Sequence, residues 1–219
     1  MAYKTQRRRK IKQMTRKNFV KKLTEKLYPS CKHDEDTQKQ QNREKYAEHK
    51  ITYGEMEYEG IDRLLAYVSK IRPNIDTFID IGSGRGKLCM YMASKPQIKR
   101  TLGIELVESR HEDAMHLKRE LKSDFADKAE FINSDIFDVD FAAYDFEKNQ
   151  VLIWFSNLCF DSKITNDIFE KLKQELPVGT IIGCSNTIDQ NIKTFTLLDT
   201  IKIPMSWHKD SNVYVYNIN

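Results

Sequence analysis

Asp80-Ile81-Gly82-Ser83-Gly84-Arg85-Gly86 places three of the chain's eight glycines within five residues. Glycine tolerates positive φ and lets a ligand approach the main chain, and such a turn aims free N–H groups at whatever lies over it. The loop follows the apolar run Thr77–Ile81 and precedes an amphipathic one. That is the first strand-to-helix crossover of an open α/β sheet, where ligands bind. The spacing does not complete a dinucleotide fingerprint, because the third glycine would fall at Lys87. Asp80, just ahead of the loop, suits a ligand with a free amino group better than one with a pyrophosphate.

Two more acidic residues stand where later strands should end. Glu105 closes Thr101-Leu102-Gly103-Ile104-Glu105, placed to accept from ribose hydroxyls. Asp135 follows the third apolar run in Asn133-Ser134-Asp135-Ile136-Phe137, where it can accept from an adenine amino group with Ile136 and Phe137 alongside.

These residues need a scaffold, and the hydropathy pattern supplies one. Phe19, Val20, Leu23 and Leu27 recur at helical spacing from about Thr15, and Ile61, Leu64, Leu65, Val68 and Ile71 mark a helix that Pro73 stops. The spacing then predicts strands at 77–81, 101–105, 129–132, 151–155 and 180–184. Helices are expected between them at 87–93, 109–121 and 164–176, and two β segments close the chain at 194–203 and 212–217. Alternating strand and helix imply a parallel sheet covered on both faces. The final pair, with no helix between, implies an antiparallel hairpin at its edge. A seven-stranded Rossmann-like α/β sheet is the expected fold.

Charge divides the 219 residues unevenly. Residues 1–27 hold eleven Lys or Arg against Glu25 alone, a net +10, leaving the remainder at −6 against a total of +4. We expect a basic, mainly helical extension over 1–50 and a catalytic domain over 51–219. Arg7, Arg8, Arg9, Lys10, Lys12, Arg16 and Lys17 are the candidate nucleic-acid contacts, since such clusters bind polyanions by releasing counterions. A nuclear localisation signal at Arg7-Arg8-Arg9-Lys10 is compatible with that. Four scattered cysteines form no CxxC pair, which argues against a zinc ribbon and for a reducing compartment. No apolar run reaches membrane-spanning length, and the basic start lacks the apolar segment of a signal peptide. A monomer without membrane contact is expected.

Asp80, the glycine loop, Glu105 and Asp135, each at an expected strand end, together resemble class I S-adenosylmethionine-dependent methyltransferases over residues 77–185. Tyr53-Gly54-Glu55 before the sheet, with Pro204-Met205-Ser206-Trp207 and Val213-Tyr214-Val215-Tyr216 near the end, narrow this. Over residues 51–217 the chain resembles the non-SET histone lysine methyltransferases of the disruptor-of-telomeric-silencing family. The resemblance implies S-adenosylmethionine as donor and S-adenosylhomocysteine as product. It implies a nucleosomal substrate, a lysine in the globular core of histone H3, and a nuclear location (or a viral factory or host nucleus, should the source be a large DNA virus).

By position, Tyr53, Gly54 and Glu55 would form a loop over the cofactor, and Tyr214, Trp154 and Phe160 would line a lysine channel. The family's Asn-Asn-Phe-Ala-Phe is Ser156-Asn157-Leu158-Cys159-Phe160 here, which puts Ser156 at the reaction centre with Asn157 beside it. The family's glutamine after the glycine loop is Lys87. Asn157-Leu158-Cys159-Phe160 also lies one residue from the Asn-Leu-Pro-Phe/Tyr motif of ribosomal RNA dimethylases, so nucleic-acid adenine-N6 methylation is the alternative. A catalytically dead binding module is a second, opposed by intact Asp80, Glu105 and Asp135.

Overall fold

The computed structural model describes residues 16–28, 54–189 and 194–219. Its elements follow the hydropathy pattern closely. They are helix α1 over residues 16–27 and α2 over Tyr58–Ile71, then β1 Thr77–Ile81, α3 Lys87–Ala93, β2 Arg100–Glu105, α4 Glu108–Leu121 and β3 Ala129–Asn133. β4 Val151–Phe155, α5 Ser162–Glu175, β5 Ile181–Cys184, β6 Phe195–Ile203 and β7 Ser211–Ile218 complete the set. The strands form one seven-stranded sheet in the order β3-β2-β1-β4-β5-β7-β6. β1 to β5 are parallel, while β7 runs antiparallel between β5 and β6. The expected hairpin is present, with its second strand inserted inward.

Strands β1 and β4 are buried along their whole length, as central strands of a doubly covered sheet should be. Their side chains divide between two cores. Phe78, Leu152, Trp154, Ile181, Val213 and Val215 face α2 and α3, whereas Ile79, Ile81, Ile153, Phe155, Ile182 and Tyr216 face the α5 side. One row of register partners crosses six strands: Phe131, Gly103, Asp80, Trp154, Gly183 and Val215. Asp80 therefore stands in the middle of the sheet, between an aromatic residue and a glycine.

Helix α1 is packed onto this body. Val20 is fully buried in the α2/α3 core, and Leu23, Leu27 and Tyr28 pack against it. Arg16 donates to Asp124 at 2.6 Å and lies over the Phe125 ring, and Lys17 pairs with Asp62 at 3.1 Å. Arg16 and Lys17, expected as nucleic-acid contacts, are thus turned onto the protein's own acids, because they flank the helix's buried face. Lys21, Lys22 and Lys26 are the exposed cations of this helix. Arg7, Arg8, Arg9, Lys10 and Lys12, and the 50/51 boundary, lie outside the described residues. Among the described residues no helix is long and apolar enough to cross a membrane.

Asp62 on α2 ties three helices together. It accepts from Lys17 of α1, from the Tyr91 hydroxyl of α3 at 2.8 Å, and from Lys95 just beyond α3. Burial pulls the Lys95 ammonium down to about 8 against the attraction of Asp62. Burial would push the Asp62 carboxyl up, but the hydrogen bond and charge of Lys95, then Tyr91 and Lys17, outweigh it and hold it below the usual range. Removing one member of such a set leaves a buried charge unpaired. Asp62→Ala is expected to lower unfolding stability by about 3 kcal/mol, measured by urea denaturation at pH 7. A change under about 0.5 kcal/mol, as for an ordinary surface substitution, would show that Lys95 finds another partner.

Candidate functional site

β1 connects toward β2 on one side while its other neighbour is β4, so the crossover direction reverses between them. Such a switch point leaves a crevice at the strands' carboxyl ends, and here it holds a cavity of about 460 Å³. From β1 toward β3 the lining runs through Asp80, Gly82, Ser83, Gly84, Glu105, Ser134, Asp135, Ile136 and Phe137. The β4 exit adds Trp154, Ser156, Leu158, Cys159, Phe160 and Asp161. Gly54, Glu55, Lys87, Arg110 and Trp207 close over them. Among the described residues, five carboxylates against Lys87 and Arg110 give the lining an acidic excess, suited to a cationic ligand.

Asp80 carries most of that character. Only 3% of it is exposed, and no described residue donates a hydrogen bond to its carboxylate. Burial pushes its carboxyl well above the ordinary range, and the nearby Glu105 and Glu55 push it further. A buried carboxylate without a donor is unfavourable until a cation arrives.

The glycine loop is held by Glu105, itself buried. One carboxylate oxygen accepts from the Gly84 N–H and the other from the Val107 N–H, each at 2.8 Å. The carboxylate expected to meet a ribose thus also fixes the loop to the β2–α4 turn. Gly82, Gly84 and Gly86 all have positive φ. Gly86 does not line the cavity. It precedes α3 at φ 72°, and a Cβ there would lie 2.6 Å from Phe131 and 2.8 Å from Ala114, so its role is close packing. Ser83 Oγ is buried without a hydrogen-bond partner and lines the cavity. Asp135 accepts from the Phe137 N–H at 3.0 Å, which folds Ile136 and Phe137 over the far end of the cavity.

The two flanking motifs form one clasp. Ser206 N–H donates to the Glu55 carbonyl at 2.8 Å, and Glu55 N–H donates back to Ser206 Oγ at 3.1 Å. Met56 and Met205 form an antiparallel bridge, and Glu57 N–H donates to the Pro204 carbonyl. The Trp207 ring lies so close to Gly54 that a Cβ there would sit 2.7 Å from it. The glycine of Tyr53-Gly54-Glu55 is therefore explained by the tryptophan of Ser206-Trp207. Tyr53 lies outside the described residues.

Among the residues expected at a reaction centre, Trp154, Ser156 and Phe160 line the cavity, with the Phe160 ring edge-on to Phe155 at 5.0 Å. Two do not. Asn157 is fully buried behind the wall. Its Oδ1 accepts from the N–H groups of Ser185 and Asn186 at 2.9 and 2.7 Å, and its Nδ2 donates to the Asn186 carbonyl. It joins the loops after β4 and β5, and both ends of its amide are engaged there. Tyr214 pairs in register with Cys184 and packs half-buried with the α5-side core. Strand alternation puts it one row from Val215, on the face away from Trp154. Trp207, Lys87, Arg110 and Ser83 line the cavity without having been singled out as site residues. The Ser-Trp motif was the available signal for Trp207; Arg110 sits on a helix whose burial no pattern revealed.

A family model, histone methylation protein DOT1, matches residues 36–212. The chain belongs to this family. It is 30% identical over 158 residues to the H3 lysine-79-specific histone-lysine N-methyltransferase of Caenorhabditis elegans, a match covering 69% of this chain. The chain spans only 16% of that curated relative's length. Among solved structures, it is similar to the magnesium protoporphyrin IX methyltransferase of Synechocystis with bound S-adenosylmethionine, at TM-score 0.55 and 13% identity, covering 87% of this chain and all of that one. An RNA methyltransferase from Salinibacter ruber gives TM-score 0.52 and 19% identity, with 71% and 90% covered. These likenesses show the fold: the DOT1-family chain has the seven-stranded, Rossmann-like class I methyltransferase architecture expected from its sequence.

The raised Asp80 carboxyl has a consequence for stability. Its contribution is fully present below the unfolded value near 3.9 and is lost as pH rises through the folded one. Asp80→Asn, which cannot ionise, is expected to melt above the parent at pH 8. The expected margin is at least the roughly 2–4 °C that 1 kcal/mol gives a domain of this size, narrowing toward pH 4. An equal or lower melting temperature at pH 8 would mean that Asp80 is already compensated in the unliganded protein.

Proposed function

We propose that this DOT1-family chain is an S-adenosylmethionine-dependent histone lysine N-methyltransferase acting on a lysine in the globular core of histone H3, on nucleosomes in the nucleus. Family membership over residues 36–212 is the observation that carries the reading, and the cavity's chemistry agrees with it. The buried Asp80 and Ser83 Oγ, neither with a hydrogen-bond partner among the described residues, and the glycine loop fit a cationic amino-acid head next to a nucleoside.

In this reading Asp80 and Glu55 hold the donor's ammonium end, Glu105 accepts from ribose hydroxyls, and Asp135 with Ile136 and Phe137 holds adenine. The bound donor supplies an electrophilic methyl group on a sulfonium. The protein's part is to position, desolvate and deprotonate. Trp154, Leu158, Phe160 and Trp207 line the cavity together with Ser156, and with donor and lysine in place their apolar faces keep water from the reacting atoms. A lysine amine near 10.4 must lose its proton before it attacks, and burial in such a channel beside a cation lowers that value without a dedicated base. The aromatic faces favour the sulfonium through their ring quadrupoles. Ser156 is the polar group nearest the β4 exit. Tyr214 acts from behind the wall by seating β7 on β5.

The basic N-terminal segment, with exposed Lys21, Lys22 and Lys26 at its described end, supplies affinity for nucleosomal DNA and offsets repulsion of the acidic body by phosphates. Adenine-N6 methylation is disfavoured by Asn157. An amide presented to a base would have to line the cavity, and here it is tied to Ser185 and Asn186.

Labelled methyl transfer to nucleosomes, free histone H3 and RNA tests the proposal. Incorporation is expected in nucleosomal H3, mapping to a core lysine and falling at least about tenfold on free H3. Label in RNA with none in H3 would overturn it.

A further inference from the structure

Lys87 and Glu55 form an ion pair inside the cavity, Nζ to Oε2 at 2.7 Å, with side chains only 12% and 19% exposed. The pair is unusual for where it stands. Glu55 belongs to the clasp that Ser206 and Trp207 hold over the site, whereas Lys87 opens α3 immediately after the glycine loop. It lines the same cavity as Asp80, with Glu55 near enough to push the Asp80 carboxyl up. A cation there is unexpected in a pocket for a cationic ligand, unless it meets the one anionic group that ligand carries.

We propose that the Lys87–Glu55 pair is a placeholder for the zwitterionic head of the donor. On binding, Lys87 leaves Glu55 for the donor's α-carboxylate, and Glu55 and Asp80 share its α-ammonium. The inference rests on the proposed reading of the cavity as a S-adenosylmethionine site and names the group that selects the donor's head.

The electrostatics favour the exchange. Breaking an ion pair this enclosed leaves two poorly solvated charges, so neither partner releases the other for a neutral ligand or for a cation alone. A ligand bringing both signs replaces one pair with two, and no charge is left without a partner. The exchange also engages Asp80, which has no donor among the described residues. A cationic amine without a carboxylate would compete with Lys87 for Glu55 and be opposed by it. Lys87 thus makes the site demand an intact amino-acid head, which an uncharged residue there would do less strictly. The Lys87 ammonium also lies 4.8 Å from the Tyr58 ring centroid, so it keeps a favourable contact while it changes partners.

Calorimetric titration of the full chain with S-adenosylmethionine, its decarboxylated form, S-adenosylhomocysteine and 5′-methylthioadenosine, which lacks the head entirely, tests this. Lys87→Met is expected to weaken S-adenosylhomocysteine by about tenfold to a hundredfold, the loss of one charged hydrogen bond. It should leave 5′-methylthioadenosine unchanged or tighter, and Lys87→Arg should restore most of the loss. The parent should prefer S-adenosylmethionine to its decarboxylated form by about tenfold or more, a comparison that needs no variant to fold. Parallel weakening of all ligands in Lys87→Met, or no preference in the parent, would overturn the exchange. Because histone is absent, these outcomes are separate from those of the methyl-transfer assay. Binding with the predicted selectivity but no transfer to nucleosomes would sink the functional reading and leave the exchange standing.

Discussion

The buried carboxylate of Asp80 is the constraint around which the rest of the site is arranged. A charge placed at the end of a central strand, with acidic neighbours and no donor among the described residues, is opposed by its surroundings until a cation joins it. The fold tolerates this because β1 is held on both edges by β2 and β4, and its row holds Trp154 on one side and, across Gly103, Phe131 on the other. Gly103 lets Phe131 and Ser83 approach, since a Cβ there would lie 2.6 and 2.8 Å from them. The glycine loop, its anchoring by Glu105 and the packing of Phe131 over Gly86 all keep the crevice beside Asp80 open.

Closure over that crevice comes from parts of the chain far apart in sequence. Residues 54–57 and 204–207 meet as a two-stranded clasp, and the Trp207 ring rests on Gly54. Trp207, Leu158 and Phe137 are each more than two-fifths exposed although large and apolar, and all three line the cavity. Scattered apolar exposure is ordinary, but these three side chains all border the same cavity. Behind this, α1 is fixed to α2 and α3 through Asp62.

The sheet was legible because its signal is local: apolar runs of four or five residues separated by amphipathic turns, with Pro73 and Pro177 stopping helices. Asp80, Glu105 and Asp135 were legible for the same reason, each lying at a strand end that hydropathy alone could place. What escaped depends on contacts across long separations. That Asn157 holds Ser185 and Asn186, that Arg16 and Lys17 answer Asp124 and Asp62, and that Tyr214 falls on the α5 side are matters of register and packing. The Gly54–Trp207 contact belongs with them. Both motifs were visible, yet only the fold brings them within van der Waals reach.

The central claim is that Asp80, its carboxyl raised by burial and by Glu105 and Glu55, awaits a cation. Calorimetry of S-adenosylhomocysteine binding in buffers of different ionisation enthalpy, at pH values from about 5 to 9, measures the protons exchanged. A cation arriving beside a raised carboxyl must lower it, so net proton release is predicted in a window that disappears in Asp80→Asn. Proton uptake, or no exchange at any pH in the parent protein, would contradict the account.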